Sequence, residues 1–77
     1  MNEKQKYIAR AAIYEAMTNG RKLSQMDCRE FEVEDMRTPI SHIKERFRNN
    51  GFQVNSQWIK TPKGRRIKEY WLTTLNN

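Results

Sequence analysis

The stretch "NNGFQVNSQWIKTPKGRRIKEYWL", residues 49–72, decides the fold predicted for this chain of 77 residues. On both sides of its TPKG segment, apolar residues alternate with polar ones, which is the period of half-buried strands. Pro62 fixes a backbone angle suited to a turn, and Gly64 accepts the left-handed conformation that closes it. The stretch therefore predicts a hairpin with strands over residues 52–59 and 65–72.

Positive charge is concentrated around the predicted turn. The chain has 15 Lys and Arg against 9 Asp and Glu, a net charge of +6. Five of these cations lie near the turn with no acid between them: Lys60, Lys63, Arg65, Arg66 and Lys68. Cations clustered on one part of a small domain are expected in a protein that binds a polyanion. A solvated basic surface is the alternative.

Two helices are predicted in the first half of the chain. Residues 3–18 show a spacing of three to four, with Tyr7 as its first member, and an Asn-Gly pair follows as a stop signal. A second, short helix is predicted over residues 25–31. Ser24 is its N-cap candidate, and Asp27 three residues later resembles a capping box.

A third helix is predicted over residues 35–49, where Asp35 or Glu34 can cap it and Pro39 suits the first turn. Four apolar residues at steps of four, three and four form a stripe that must face the core: Met36, Ile40, Ile43 and Phe47. Polar residues lie roughly opposite, on the face left for solvent or a ligand. They are Thr38, Ser41, His42, Glu45 and Asn49, with Arg37 and Arg48 on one flank.

The order of these elements predicts a single α+β domain over residues 1–77, a winged helix-turn-helix of three helices followed by a C-terminal β-hairpin wing. A short connection between the second and third helices is typical of helix-turn-helix proteins, whose second helix enters the major groove of DNA. A hairpin beside that recognition helix would meet the phosphate backbone, where Lys and Arg release counterions.

The stretch MRTPISHIKERFRNNGFQVNSQWIKTPKGRRIKEYWL resembles the small winged helix-turn-helix domains common in bacteriophages and prophages, and KLSQMDCREF matches their preceding helix loosely. The resemblance covers about residues 23–72. Its matching residues are Arg37, Ile40, Ile43, Arg48, Gly51, Trp58, Gly64, Arg65, Tyr70 and Leu72. It implies a DNA-binding transcriptional regulator, or an excision or replication accessory factor, of phage origin.

Ten residues are predicted to contact double-stranded DNA: Arg37, Thr38, Ser41, His42, Glu45, Arg48, Lys60, Lys63, Arg65 and Arg66. Side chains near the start of a recognition helix reach base edges best, so Arg37, Thr38, Ser41 and His42 rank first. The alternative for the helix residues is an ordinary solvated face. For the hairpin cations it is pairing with Glu69 or with the acidic segment.

Aromatic residues of the hairpin are divided between the core and the surface. We expect Tyr70 and Leu72 to point inward, with the opposite register as the alternative. Trp58 is expected to pack in the core rather than stack on bases. Trp71, if exposed, suits an interface between proteins.

Cys28 is expected to be a small packing residue rather than a redox centre.

Several classes of function are disfavoured by the sequence. A single cysteine and a single histidine make a structural zinc site improbable within one chain, and we expect no cofactor. No nucleophile–base pair or carboxylate cluster with metal-site spacing indicates an enzyme. The chain lacks an apolar run long enough for a membrane span and has no secretory signal, so a cytoplasmic location is expected, the host cytoplasm if a phage encodes it.

A second function is compatible with the same fold. The five acids between Asp27 and Asp35, together with Trp71, would suit a protein-binding winged helix that captures or inhibits a host or phage protein. In the DNA-binding interpretation, a module of this size makes few contacts, so two copies on repeated or inverted half-sites are expected.

Overall fold

The structure, a computed structural model, describes residues 3–75 as an α+β fold with two α-helices and one three-stranded antiparallel sheet. In chain order the elements are α1 (Glu3–Thr18), β1 (Leu23–Ser24), a 3₁₀ turn (Gln25–Asp27), α2 (Arg37–Asn49), β2 (Phe52–Lys60) and β3 (Arg66–Thr74). The sheet has the order β1-β3-β2, so β3 is its central strand. Both helices pack on one face of this sheet.

The predicted architecture of three helices followed by a hairpin wing is wrong. Residues 25–31 form one 3₁₀ turn and then further turns, so the expected helix-turn-helix pair is absent. The hairpin is also not a free wing, because Leu23 pairs with Tyr70 and Ser24 with Glu69 to add a third strand.

The second helix fails to form although its predicted start is correct. The backbone N–H of Ser24 donates to the Asp27 carboxylate at 2.8 Å, completing the capping box. A segment this short gains too few hydrogen bonds to offset the cost of helix nucleation. The chain then turns away at Glu32, whose φ of 56° is left-handed, and the N–H of Val33 donates to the Cys28 carbonyl at 3.0 Å.

The predicted apolar stripe of α2 is confirmed. Its four residues are buried, and the fully buried Phe47 stacks on Tyr14 of α1 with ring centroids 4.7 Å apart. In α1 the buried residues are Ala9, Ile13 and Met17, whereas Tyr7, which began the spacing seen in the sequence, is exposed. The core therefore lies between the two helices and one face of the sheet.

The ends of the elements follow from local chemistry. α1 spans the residues predicted for it and ends at Thr18. Just past this end, Gly20 has a φ of 92°, which lets the N–H of Arg21 donate to the carbonyl of Ala16. α2 starts at Arg37 rather than at residue 35, because the Asp35 carboxylate accepts a hydrogen bond from the backbone N–H of Arg37 at 2.9 Å and so precedes the helix.

The hairpin turn has the conformation that the sequence predicts. The N–H of Gly64 donates to the Thr61 carbonyl at 2.8 Å, and Gly64 has a φ of 84°. β2 spans Phe52–Lys60 and β3 spans Arg66–Thr74, whereas the sequence predicted strands over residues 52–59 and 65–72. Tyr70 is buried, as expected, and Leu72 packs against the core as a partly buried residue.

Candidate nucleic-acid interface

The hairpin extends past the helix that it packs against. β2 runs back along α2 from the end of that helix, and its nine residues span about 30 Å, whereas the 13 residues of α2 span about 20 Å. The far end of the hairpin, residues 58–68, therefore lies at and beyond the start of α2. We call residues 58–68 the hairpin end.

Trp58 is exposed at this end, so its expected place in the core is wrong. Its side chain is 58% exposed. The register places Trp58 opposite Lys68 and Lys60 opposite Arg66, on the face of the sheet that carries Tyr70. Because this is the face that packs on the helices, Trp58 belongs to the same side of the molecule as α2 but lies beyond the helical cover.

Cations surround the exposed Trp58 ring. The guanidinium carbon of Arg66 lies 5.5 Å from the ring centroid, and Nζ of Lys68 lies 5.4 Å from it. None of the hairpin-end cations pairs with a carboxylate among residues 3–75, and the Glu69 carboxylate instead accepts from the Gln57 amide at 3.1 Å. These cations are therefore available to an anionic ligand.

The start of α2 and the hairpin end share one groove of about 230 Å³. Its lining includes Arg37 from α2 and Trp58, Arg66 and Lys68 from the hairpin end. Arg65, Gln25, Ile67 and Tyr70 complete the lining. Of the predicted contact residues, Arg37, Arg65 and Arg66 are thus brought together in this groove, whereas Arg48, Lys60 and Lys63 do not line it.

The outer face of α2 divides into two sides. Arg37 lines the groove with the hairpin, and Ser41, Lys44 and Arg48 follow it along the same flank at helical spacing, all of them exposed. We call these four residues the hairpin-side flank. Lys44 was missing from the predicted site, because the sequence alone does not show which flank of α2 faces the hairpin.

Two predicted contact residues lie on the other side of α2. Thr38 and His42 line a second groove, of about 420 Å³, whose opposite wall includes Lys6 and Arg10 of α1. Glu45 is exposed between the two sides. The ten predicted site residues are therefore all exposed but do not form one cluster.

Arg37 is held at the groove by a neighbouring carboxylate. Its Nη2 donates to Oδ2 of Asp35 at 2.8 Å, and its Nε donates to the same oxygen at 3.2 Å. These hydrogen bonds from Arg37 hold the pKa of Asp35 below its usual value, and Asp35 in turn raises the pKa of Arg37. A phosphate approaching Arg37 would compete with this carboxylate for the guanidinium.

The features that suggested a protein partner are largely engaged within the chain. Arg21 donates to Asp27 and, at 2.6 Å, to Glu30, and these contacts with Arg21 lower the pKa of Glu30. Trp71 is partly buried, with Nζ of Lys22 5.2 Å from its ring centroid.

Other chemical roles find little support in the described part of the chain. Burial raises the pKa of the Cys28 thiol, which donates to the side-chain oxygen of Gln25 at 3.4 Å, so a reactive thiolate is not favoured. Among residues 3–75, no cluster of three or more His, Cys, Asp or Glu side chains has the arrangement of a metal site. None of the helices described is long and apolar enough to cross a membrane.

Comparison with known proteins adds no family to this description. No family model, curated protein or solved structure matches this chain. The resemblance seen in the sequence therefore stays a prediction, and a function must be inferred from the geometry and charge of α2 and the hairpin end.

Proposed function

We propose that this chain binds double-stranded DNA, with α2 in the major groove and the hairpin end on the adjacent phosphate backbone. The observation that supports this most strongly is the shared groove, which is lined by Arg37 of α2 and by Arg66 and Lys68 of the hairpin. Cations from two elements on one side of the molecule provide the continuous positive surface that a duplex backbone attracts. A single α-helix fits the width of the major groove.

Each part of this surface has its own role in the proposal. Arg37 and Ser41 are nearest the start of α2, from which side chains reach base edges. Lys44 and Arg48 neutralise phosphates along the hairpin-side flank, and the exposed ring of Trp58 packs against a sugar or a base at the edge of the groove. Glu45 lies on the outer face of α2, whereas Thr38 and His42 belong to the side facing α1.

The surface formed by α2 and the hairpin end is small, and this limits the sequence specificity that one copy can have. One helix and one hairpin make few base contacts, so a single copy has modest specificity, and two copies on paired half-sites give more. Control of transcription, or assistance to excision or replication, is the role that we propose for such a protein.

The dependence of binding on salt tests the proposal. The affinity for a short duplex of random sequence is measured by fluorescence anisotropy at several salt concentrations. The double variant Arg65→Ala with Arg66→Ala should bind more weakly and lower the slope of log K against log salt by about 2, since each lost phosphate contact removes about one unit.

A matched control separates a local contact from a change in net charge. Lys22→Ala with Arg29→Ala removes the same charge from exposed positions outside the groove, and the salt slope should stay close to that of the unmodified chain. Equal losses in the two double variants would contradict the proposed surface. If no complex formed even at low salt, the DNA proposal would fail, and a protein partner would become the better explanation.

A further inference from the structure

The outer face of α1 carries large apolar side chains that the fold leaves exposed. Tyr7 is 64% exposed and Ile8 is 60% exposed, on the side of α1 away from the buried Ile13 and Met17. Apolar side chains exposed side by side on one helix are typical of a surface that another protein covers. This face is separate from α2 and the hairpin end.

Four residues on this face of α1 have a spacing that reads the same from either end of the helix. Lys4, Ile8, Ala11 and Glu15 are exposed and follow one another at steps of four, three and four, so they form one stripe along α1. When two such stripes run antiparallel, Ile8 of each faces Ala11 of the other. In the same register, Lys4 of each faces Glu15 of the other.

The two ends of this outer stripe carry opposite charges, and neither charge is paired among residues 3–75. Lys4 and Glu15 form no ion pair with any other of residues 3–75. In the antiparallel register each copy contributes one cation and one anion, giving two ion pairs per dimer, while a parallel register would bring like charges together. The small Ala11 side chain lets the two helices approach closely around Ile8.

We propose that α1 binds α1 of a second copy of this chain in an antiparallel, two-fold symmetric dimer. The interface is isologous, since the same stripe serves both copies. Its centre is formed by Ile8 and Ala11, its ends by Lys4 and Glu15, and Tyr7 lies along its edge. The dimer leaves α2 and the hairpin end of both copies accessible, so it does not depend on the function proposed above.

The size of the interface sets the expected affinity. One helix against another buries less than a standard protein–protein interface, so we expect a dissociation constant of about 10–500 µM. Sedimentation equilibrium of the full chain without DNA, at concentrations up to about 1 mM, measures it directly. The unmodified chain should be in a concentration-dependent equilibrium between monomer and dimer.

Substitutions that reverse the charges of Glu15 and Lys4 test the antiparallel register of the two α1 helices. Glu15→Lys should raise the dissociation constant about tenfold, because it places a second cation opposite Lys4 at both ends of the interface. The double variant Lys4→Glu with Glu15→Lys restores opposite charges and should return the constant to within about threefold of the unmodified chain. Ile8→Lys should leave only monomer.

A control variant distinguishes an effect at α1 from a general effect of net charge. Glu45→Lys makes the same charge change on the exposed face of α2 and should leave the dimer unaffected. These positions are exposed, so circular dichroism should show folded chains throughout. A monomer at every concentration, or a double variant that dimerises no better than Glu15→Lys alone, would overturn the proposal.

Discussion

The side-chain oxygen of Gln25 accepts a hydrogen bond from the backbone N–H of Met36 at a distance of 2.6 Å. The same oxygen accepts from the Cys28 thiol at 3.4 Å. Gln25 thus ties the 3₁₀ turn to the start of α2, across the segment where a second helix was expected. Since Arg37 follows Met36 directly, this contact also fixes the position of Arg37 at the groove.

Loss of the Gln25 contact should destabilise the fold. Gln25→Ala leaves the N–H of Met36 without this acceptor, and we expect the free energy of unfolding to fall by about 1–2 kcal/mol. Gln25→Glu keeps a side-chain oxygen in reach and should lose less. Urea denaturation followed by circular dichroism measures both, and equal losses would show that the hydrogen bond to Met36 is not the cause.

Trp58 should matter for DNA binding and not for folding. Because its side chain is 58% exposed, Trp58→Ala should change the free energy of unfolding by no more than about 0.5 kcal/mol. The affinity of Trp58→Ala for duplex DNA should fall about 2- to 10-fold, which corresponds to the loss of about 0.5–1.4 kcal/mol of apolar contact with a sugar or a base edge. Trp58→Phe keeps an aromatic ring and should bind better than Trp58→Ala. Loss of stability without loss of affinity would contradict this role.

The two sides of α2 should respond differently to substitution. Lys44→Ala, on the hairpin-side flank, should weaken DNA binding by about 2- to 10-fold and lower the salt slope by about 1. His42→Ala, on the side facing α1, should leave both quantities nearly unchanged. Anisotropy titrations at two salt concentrations compare the variants. The reverse order would mean that α2 presents its α1 side to DNA.

Removing the carboxylate next to Arg37 should strengthen DNA binding. Asp35→Asn frees the guanidinium and deletes a negative charge beside the groove, so the dissociation constant should fall several-fold at low salt. Asn retains a side-chain oxygen that can accept from the N–H of Arg37, so α2 should keep its start. Unchanged or weaker binding by a folded Asp35→Asn would argue against a DNA contact at Arg37.

The same substitution should alter the dependence of stability on pH. Arg37 lowers the pKa of Asp35 in the folded state, so the ionised carboxylate stabilises the fold above its unfolded pKa, near 3.9. That contribution is lost as the pH falls through the lowered pKa. Between about pH 4 and pH 2, the free energy of unfolding of Asp35→Asn should therefore fall less steeply than that of the unmodified chain. Parallel curves would show that the contact contributes little.

Elements with a long regular pattern were predictable from the sequence. The spacing of Met36, Ile40, Ile43 and Phe47 determined which face of α2 is buried, since only one helical face can hold all four. The Pro-Gly turn determined where the hairpin reverses. In both cases the local chemistry and the packed structure favour the same conformation.

Features that depend on contacts between distant segments were not predictable. β1 has only two residues, Leu23 and Ser24, and shows no period of its own, because its pairing with β3 is a tertiary contact. Trp58 continues the alternation of a half-buried strand, yet α2 is too short to cover it. Likewise, Lys44 could be assigned to the hairpin side only after α2 had been placed against the sheet.

Amide chemical-shift mapping tests the central claim most directly, namely that α2 and the hairpin end form one surface for DNA. A duplex is titrated into ¹⁵N-labelled chain while two-dimensional NMR spectra are recorded. If the claim is right, amides of residues 37–48 and 58–68 shift together, with little change at Lys22 and Trp71 on the opposite face of the sheet. Shifts confined to the opposite face, or to only one of the two elements, would contradict it.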